Sequence, residues 1–496
     1  MHEPLINSDK KQRIIQSIRW LVAMSWFNRI LGFFSIIILA RILSPEDFGI
    51  MAIVVLALQL TETLTNIGSE QYFIQKESAT NADLNCAWTS NLIIKLLTSL
   101  IFAIAAPYIA TIYDHQHLIP AFLSIAFLPV ISALSNGKIY QYKKELNYKK
   151  FAAIAALSKL LGSIISIVLA FILQSYWALI FGAILNSVFY SGLSYIFIQQ
   201  RTSFELTNWQ EQFQFSKWII LKSLIGHIRA KFDSWFAINI QGISGLGGYN
   251  LSKDLVLLPS RELLSPISEI FFTSIAQTKN ESGEQQLQIR KSIAIIYIIG
   301  FPIAFGWGLI AEPFVQVILS DEWLPFISTI SALGFLVVTF SMGNFISQIM
   351  TATGHVKQLF YYDVFTLIFA LIMLTYFAES IDSLNEMAFI RVLIGVGIVL
   401  IGTICLSLLD IISIFHFLQS AIFPLLSSIV MSKFVLSLSL SFQDPKINLV
   451  LTIVAAASTY TIFLLIGCKF KALGRAESTF INGLINDFIK LVKNKI

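Results

Sequence analysis

Charge is scarce in this chain: charged residues make up 13% of 496, against 56% hydrophobic. Such a balance excludes an ordinary soluble globular protein. Polar stretches are few and short as well, at 1–16, about 200–214, about 277–291 and 469–496, which leaves no room for a soluble catalytic domain. Cysteine is nearly absent: Cys86, Cys405 and Cys468 lie far apart with no CxxC and no clustered histidine, so neither a disulfide framework nor a metal site is supported. No GxxxxGK[ST] phosphate loop occurs, which excludes ATP hydrolysis by that motif. No cofactor is called for.

What the chain has instead is long apolar runs. A span needs about 20 mainly apolar residues, and candidate centres fall near residues 30, 57, 98, 128, 162, 187, 230, 258, 300, 338, 367, 396, 428 and 457. The fold expected is all-α and polytopic, with about fourteen transmembrane helices; twelve is the alternative count. Residues 1–16 are polar and the run after them is too long for a signal core, so the first helix is expected to stay.

Lysine and arginine orient the spans. Alternate loops hold Lys10, Lys11, Arg13, Lys76, Lys138, Lys143, Lys144, Lys149, Lys150, Arg201, Lys279, Arg290, Lys291, Lys357, Lys469, Lys471, Arg475, Lys490, Lys493 and Lys495 on one side, and only Arg41 and Lys446 on the other. By the positive-inside rule the first side is cytoplasmic, with both termini there. The net charge of +5 reflects these loops and an interior surplus, not nucleic-acid binding. The run KIYQYKKELNYKK at 138–150 reads as a topology determinant, with contact to anionic membrane lipids as the second reading.

Charges at span depth need a purpose, because each costs a few kcal/mol or more unless it pairs, faces a wet cavity or handles a ligand. Residues 217–269 carry Lys217, Lys222, Arg229, Lys231, Lys253 and Arg261 beside Asp233, Asp254, Glu262 and Glu269. At about 100° per residue, Lys222, Arg229 and Asp233 share one helix face, as do Asp254, Arg261 and Ser265. Pro259 and Pro266 are expected to kink the second helix. Earlier in the chain, Arg29 with Ser25, Lys95 with Asn91 and Lys159 with Ser163 stand four residues apart in apolar runs. The cations read as a polar path: Arg29, Lys95, Lys159, Lys222, Arg229, Lys253 and Arg261. Internal pairing, Arg229 with Asp233 or Lys253 with a carboxylate on a facing helix, is the competing reading.

An internal repeat is present. A shift of 198 residues superimposes Arg19-Trp20 on Lys217-Trp218, Ser25 on Ser223, Arg29 on His227 and Gly49 on Gly247. Six spans between the copies make the halves parallel, as in transporter folds whose two bundles rock about a central site. The expected organisation is a six-helix bundle over 1–200, a second over 201–410, two additional helices over 411–468 and a cytoplasmic tail over 469–496.

The run RILSPEDFGIMAIVVLALQLTETLTNIGSEQYFIQK (41–76), the segment YNLSKDLVLLPSRELLSPISEIFF (249–272), and the stretch from GFPIAFGWGLIAEPFVQVILSDEW (300–323) to TATGHVK (351–357) resemble the polysaccharide flippases. These are Wzx-like, PST-type members of the multidrug/oligosaccharidyl-lipid/polysaccharide (MOP) exporter superfamily. The resemblance runs over about residues 15–410. It implies a V-shaped pair of six-helix bundles in a bacterial inner membrane. The substrate it implies is a polyprenyl-pyrophosphate-linked oligosaccharide, moved to the outer leaflet for O-antigen, capsule or exopolysaccharide export. Polysaccharide polymerase and glycosyltransferases are the expected protein partners.

Fixed cations in a low-dielectric cleft lower the barrier to moving a diphosphate, and arginine suits phosphate bidentately. For the sugar the candidates are Trp26, Trp235, Asn239, Tyr249 and Asn250. For ion coupling they are Asp233, Glu262, Glu269 and Asp363, each with a salt-bridge role as its alternative. Competing functions are a multidrug or cation antiporter of the same superfamily, which wants an acidic cavity, and a membrane glycosyltransferase or polymerase. The enzyme reading needs a large outer loop or an acidic pair such as Glu46-Asp47 or Asp321-Glu322.

Overall fold

The computed structural model describes residues 8–469, apart from 77, 113–114, 146, 208, 279–281 and 439–443. Every regular element among the described residues is a helix. The chain forms two compact units, Met1–Phe232 and Asp233–Ile496.

The first unit contains α1 (Ser8–Ile42), α2 (Pro45–Leu64), α3 (Ser69–Gln75), α4 (Asn81–Ile112), α5 (Ile119–Ala126), α6 (Leu128–Ala133), α7 (Lys138–Lys144), α8 (Tyr148–Leu173) and α9 (Trp177–Phe197). The unit boundary falls inside α10 (Trp209–Pro259). The second unit continues with a π-turn at Ser260–Leu264, then α11 (Ser265–Gln277), α12 (Ser282–Ile318), α13 (Ile327–Leu333), α14 (Leu336–Ala352), α15 (Val356–Phe377), α16 (Leu384–Leu408), α17 (Ile414–Ser437) and α18 (Pro445–Lys469).

Among the described residues ten helices are long and apolar enough to cross a membrane, or eleven if the pair Asp321–Leu333 and Leu336–Ala352, bent by 45°, is one span. All fourteen expected centres lie in helix, but the count of fourteen is not reached on length and apolarity. The expected centres near 57, 230 and 258 fall on α2 and α10, which are outside that count. Glu46, Asp47 and Glu62 stand on α2, and Lys231, Asp233, Lys253 and Asp254 on α10.

Local chemistry explains the first break. Ser44 caps α2: its hydroxyl accepts from the Asp47 N–H at 3.2 Å while the Asp47 carboxylate accepts from the Ser44 N–H at 3.0 Å, and Pro45 occupies the first turn. The other Asp47 oxygen accepts from the Tyr176 N–H at 2.7 Å, tying the start of α2 to the start of α9. Another break comes 198 residues later. α10 reverses at Gln241 (φ −132°) and Gly242 (φ 64°, ψ −153°), the positions that the repeat offset matches to Leu43 and Ser44. A left-handed φ with that ψ is open to glycine alone. The two copies reach the same helix pair by different means, a capped break in one and a glycine reversal in the other.

In the first unit α8 packs extensively on α9 and on α1. At the α8–α9 contact a Cβ on Gly182 would come within 2.5 Å of the Ser166 Cβ, so only glycine permits this approach. The segment after α9 is held against α4 and the turn before α7. Asn85 donates to Ser203 (2.7 Å) and Glu205 (3.1 Å), and Asn136 donates to the carbonyls of Ile198 (3.0 Å) and Gln200 (2.7 Å). In the second unit a core of Ile289, Ile293, Met342, Phe345, Ile349 and Leu406 joins α12, α14 and α16. The added pair α17–α18 packs on α12, with the Tyr460 hydroxyl donating to the Ile298 carbonyl at 2.7 Å.

Candidate functional site

Two polar groupings stand out within the units, each built from side chains on spans. In the first unit the relevant faces are those of α4 and α8. Lys95 shares its face of α4 with the buried Trp88, Phe102 and Ala106, all within about 20° at 100° per residue. The exposed apolar residues Ile93, Leu97, Leu100, Ile104 and Tyr108 lie roughly 180° away. Lys159 is exposed, yet it stands on the α8 face of Ser163, Ser166 and Ala170, all buried. The lipid-like stripe of Leu157, Ile164, Val168, Phe171 and Ile172 is centred roughly 160° from it. Both cations therefore sit on the inward sides of their helices. The Lys95 ammonium lies 3.0 Å from the Glu62 carboxylate of α2. Arg29 is half-buried on α1.

The second grouping is the reversed α10 pair with α16. Asp233 is fully buried, and one of its oxygens accepts from Lys253 (2.5 Å), from the Arg391 Nε (3.1 Å) and from the Tyr249 hydroxyl (3.1 Å). The other accepts from the Ser234 N–H at 3.0 Å. Lys253 and Arg391 keep only 14% of their side-chain exposure. One carboxylate thus joins both arms of α10 to α16. Beyond it, the Arg261 Nη1 meets the Asp254 Oδ1 at 3.1 Å, a pair 45% and 51% exposed. The Ser260 and Ser341 hydroxyls meet at 2.5 Å across the π-turn.

The expected site residues are thus distributed as follows. Lys95 and Lys159 face inward in the first unit. Lys253 pairs with Asp233 as the internal-pairing reading has it, and Arg261 pairs with Asp254, seven residues back. The side chains of Lys222 and Arg229 lie outside the described part of the structure. Of the coupling candidates, Asp233 is sealed, Glu262 and Asp363 are half-buried and Glu269 is exposed. Tyr249 is fully buried with its hydroxyl committed to Asp233, so the expectation that it meets a sugar is corrected. Trp26 and Trp235 are about half exposed, and Asn250 accepts from the Ser234 hydroxyl. Arg391 and Glu62 were not expected. A lone arginine in FIRVLIGVGIV was a legible signal, since an uncompensated cation in an apolar span demands a partner.

The acidic pairs of the enzyme reading are placed too. Asp47 is occupied with capping α2 and holding α9. Asp321 and Glu322 are exposed at the start of a short 3-10 turn. Among the described residues, no group of three metal-ligating side chains gathers.

Helices of this length and apolarity, with cations on inward faces, define a multi-pass membrane protein of transporter architecture. Residues 38–328 match the polysaccharide biosynthesis protein family, and the chain belongs to that family. It is 22% identical over 365 residues to the lipopolysaccharide biosynthesis protein WzxC of Escherichia coli, covering 72% of this chain and 73% of the relative. Its fold is similar to that of the lipid II flippase MurJ in an inward closed conformation, with TM-score 0.70 and 15% identity over 91% of this chain and 99% of MurJ. It is also similar to an inward-facing multidrug resistance MATE family transporter of the MOP superfamily, with TM-score 0.55 and 16% identity over 77% of this chain and 95% of that one. The fold is therefore the one that these two transporters share.

Proposed function

We propose that the chain moves a polyprenyl-pyrophosphate-linked oligosaccharide from the cytoplasmic to the outer leaflet by alternating access, supplying surface polysaccharide such as O-antigen, capsule or exopolysaccharide. The observation that carries the reading is the inward placement of Lys95 and Lys159 in a member of a polysaccharide biosynthesis family. A diphosphate cannot enter hydrocarbon unaided, and fixed cations on the polar faces of spans lower that barrier. Arg29, Lys95, Lys159, Lys222 and Arg229 are the proposed anion contacts of the first unit, and Arg261 that of the second. Lys253 and Asp233 are assigned to holding the α10 pair on α16. Glu262, Glu269 and Asp363 remain the coupling candidates.

The fold alone is shared with multidrug carriers, so charge sign separates the two readings. An antiporter of organic cations wants accessible, uncompensated acid, whereas Asp233 is covered by two cations and Asp254 and Glu62 each pair with one. An enzymatic role finds no support at Glu46-Asp47, where Asp47 is a structural cap. The proposed setting is the cytoplasmic membrane of a bacterium with both termini cytoplasmic, working with glycosyltransferases and a polymerase. Deleting the gene should abolish surface polysaccharide while glycan-loaded carrier lipid accumulates, and the intact chain should restore export. Undiminished surface polysaccharide in the deletion strain, with no related carrier present, would contradict the proposal.

A further inference from the structure

Asp233, Asp254 and Glu62 each pair with a cation, and the three pairings differ in access. Asp233 is fully buried beneath Lys253, Arg391 and Tyr249, so nothing displaces it without opening the cluster. Asp254 and Arg261 are about half exposed, where water screens them heavily. Glu62 and Lys95 lie between these extremes, 32% and 18% exposed and 3.0 Å apart. Their surroundings are polar. One step along both helices, three residues on, the hydroxyls of Thr65 and Thr98 meet at 2.7 Å. One helical turn beyond Lys95, the Ser99 hydroxyl is buried without a protein hydrogen-bond partner. A buried hydroxyl in that state has hydrogen-bonding capacity to spare.

We propose that Glu62 is a resident counter-anion for Lys95: it holds the ammonium in place between transport cycles and gives way to a phosphate group of the substrate. The proposal rests on the diphosphate reading above. It makes Glu62 a positioning residue, acting through Lys95. The pair is hydrated enough to exchange, and its single charge is outbid by the roughly two of a diphosphate. Ser99 offers a hydroxyl one turn from Lys95, while those of Thr65 and Thr98 are engaged with each other and with the Thr61 and Ile94 carbonyls. Such a carboxylate also limits affinity, which suits a carrier that must let its load go. Removing it leaves Lys95 unopposed, so an anion should bind more tightly and leave more slowly.

The test uses the full-length purified protein in detergent, with inorganic pyrophosphate as the probe and thermal stabilisation against concentration as the readout. Glu62→Gln should lower the apparent Kd about fivefold, the worth of a partly exposed ion pair. Glu62→Asp, whose shorter arm withdraws from Lys95, should shift it less in the same direction, and keeps the test alive if the Gln variant is poorly folded. Lys95→Gln should weaken binding, and the double variant should lose the gain. In cells, Glu62→Gln at normal membrane level should export less, with Glu62→Asp partly restored. An unchanged or raised Kd in both Glu62 variants, or a gain that survives loss of Lys95, would overturn the proposal. The two readings fail separately. Tighter pyrophosphate binding with no export defect on gene deletion removes the carrier function and leaves the site, whereas an export defect without tighter binding removes only the role of Glu62.

Discussion

Asp233 and Asp254 lie 21 positions apart in the same helix pair, yet burial gives them different weights. Removing one partner of a buried pair strands the other charge, at a cost of about 3 to 5 kcal/mol, whereas an exposed pair is worth about 1 kcal/mol at most. Asp233→Ala should therefore deplete the folded protein from the membrane, and Asp254→Ala should leave its level near normal; a thermal midpoint in detergent for each variant checks this. Equal depletion by both would contradict the assignment of Asp233 to structure. Arg261→Ala, in the exposed pair, should keep membrane level while export falls, with Arg261→Lys partly restoring it. If Arg261→Glu is instead rescued by Asp254→Arg, the arginine serves only its neighbour. Helix periodicity located Asp233, Asp254 and Arg261 in polar stripes, because residues a few turns apart share a face. It did not find Arg391 as a partner of Asp233, since that contact crosses 158 positions of sequence and depends on how α16 packs.

The helix pairs were legible from the repeat, but the breaks fall at Ser44-Pro45 and Gln241-Gly242, five residues before the matched Gly49 and Gly247. The Ser44-Pro45 start of α2 and the Gly-containing turn in the second copy follow from capping and from positive φ. The count of spans was less legible, because α10 carries charges along its length that tertiary pairing, as of Asp233 with Lys253, accommodates. Gly242→Ala should cost about 1 to 2 kcal/mol for its left-handed φ, read as a lower thermal midpoint, although no atom lies within 4 Å of the site of the new methyl. An unchanged midpoint would mean that the reversal does not need glycine. A pH effect belongs to the segment after α9. Hydrogen bonds from Asn85 and then Thr207 hold the Glu205 carboxyl below the usual glutamate range. A depressed pKa stabilises the docked form above the ordinary glutamate pKa and loses that contribution as pH falls through the depressed value. Proteolysis between residues 199 and 207 should accordingly rise on acidification, and rise in Asn85→Ala already at neutral pH.

The all-helical, multi-pass class was the most legible level, since composition acts over hundreds of residues. Reporters fused after residues 145, 205, 285 and 480 should read cytoplasmic, and those after 115, 320, 382 and 444 extracytoplasmic; one on the wrong side would break the alternation. The direct test of the central claim is the leaflet in which glycan-loaded carrier lipid resides. Vesicles from cells with and without the chain, prepared right side out, can be treated with an impermeant glycan-cleaving reagent. The account predicts that lipid-linked oligosaccharide is cleaved when the chain is present and protected when it is absent or carries Lys95→Glu with Lys159→Glu. Equal cleavage with and without the chain would contradict it.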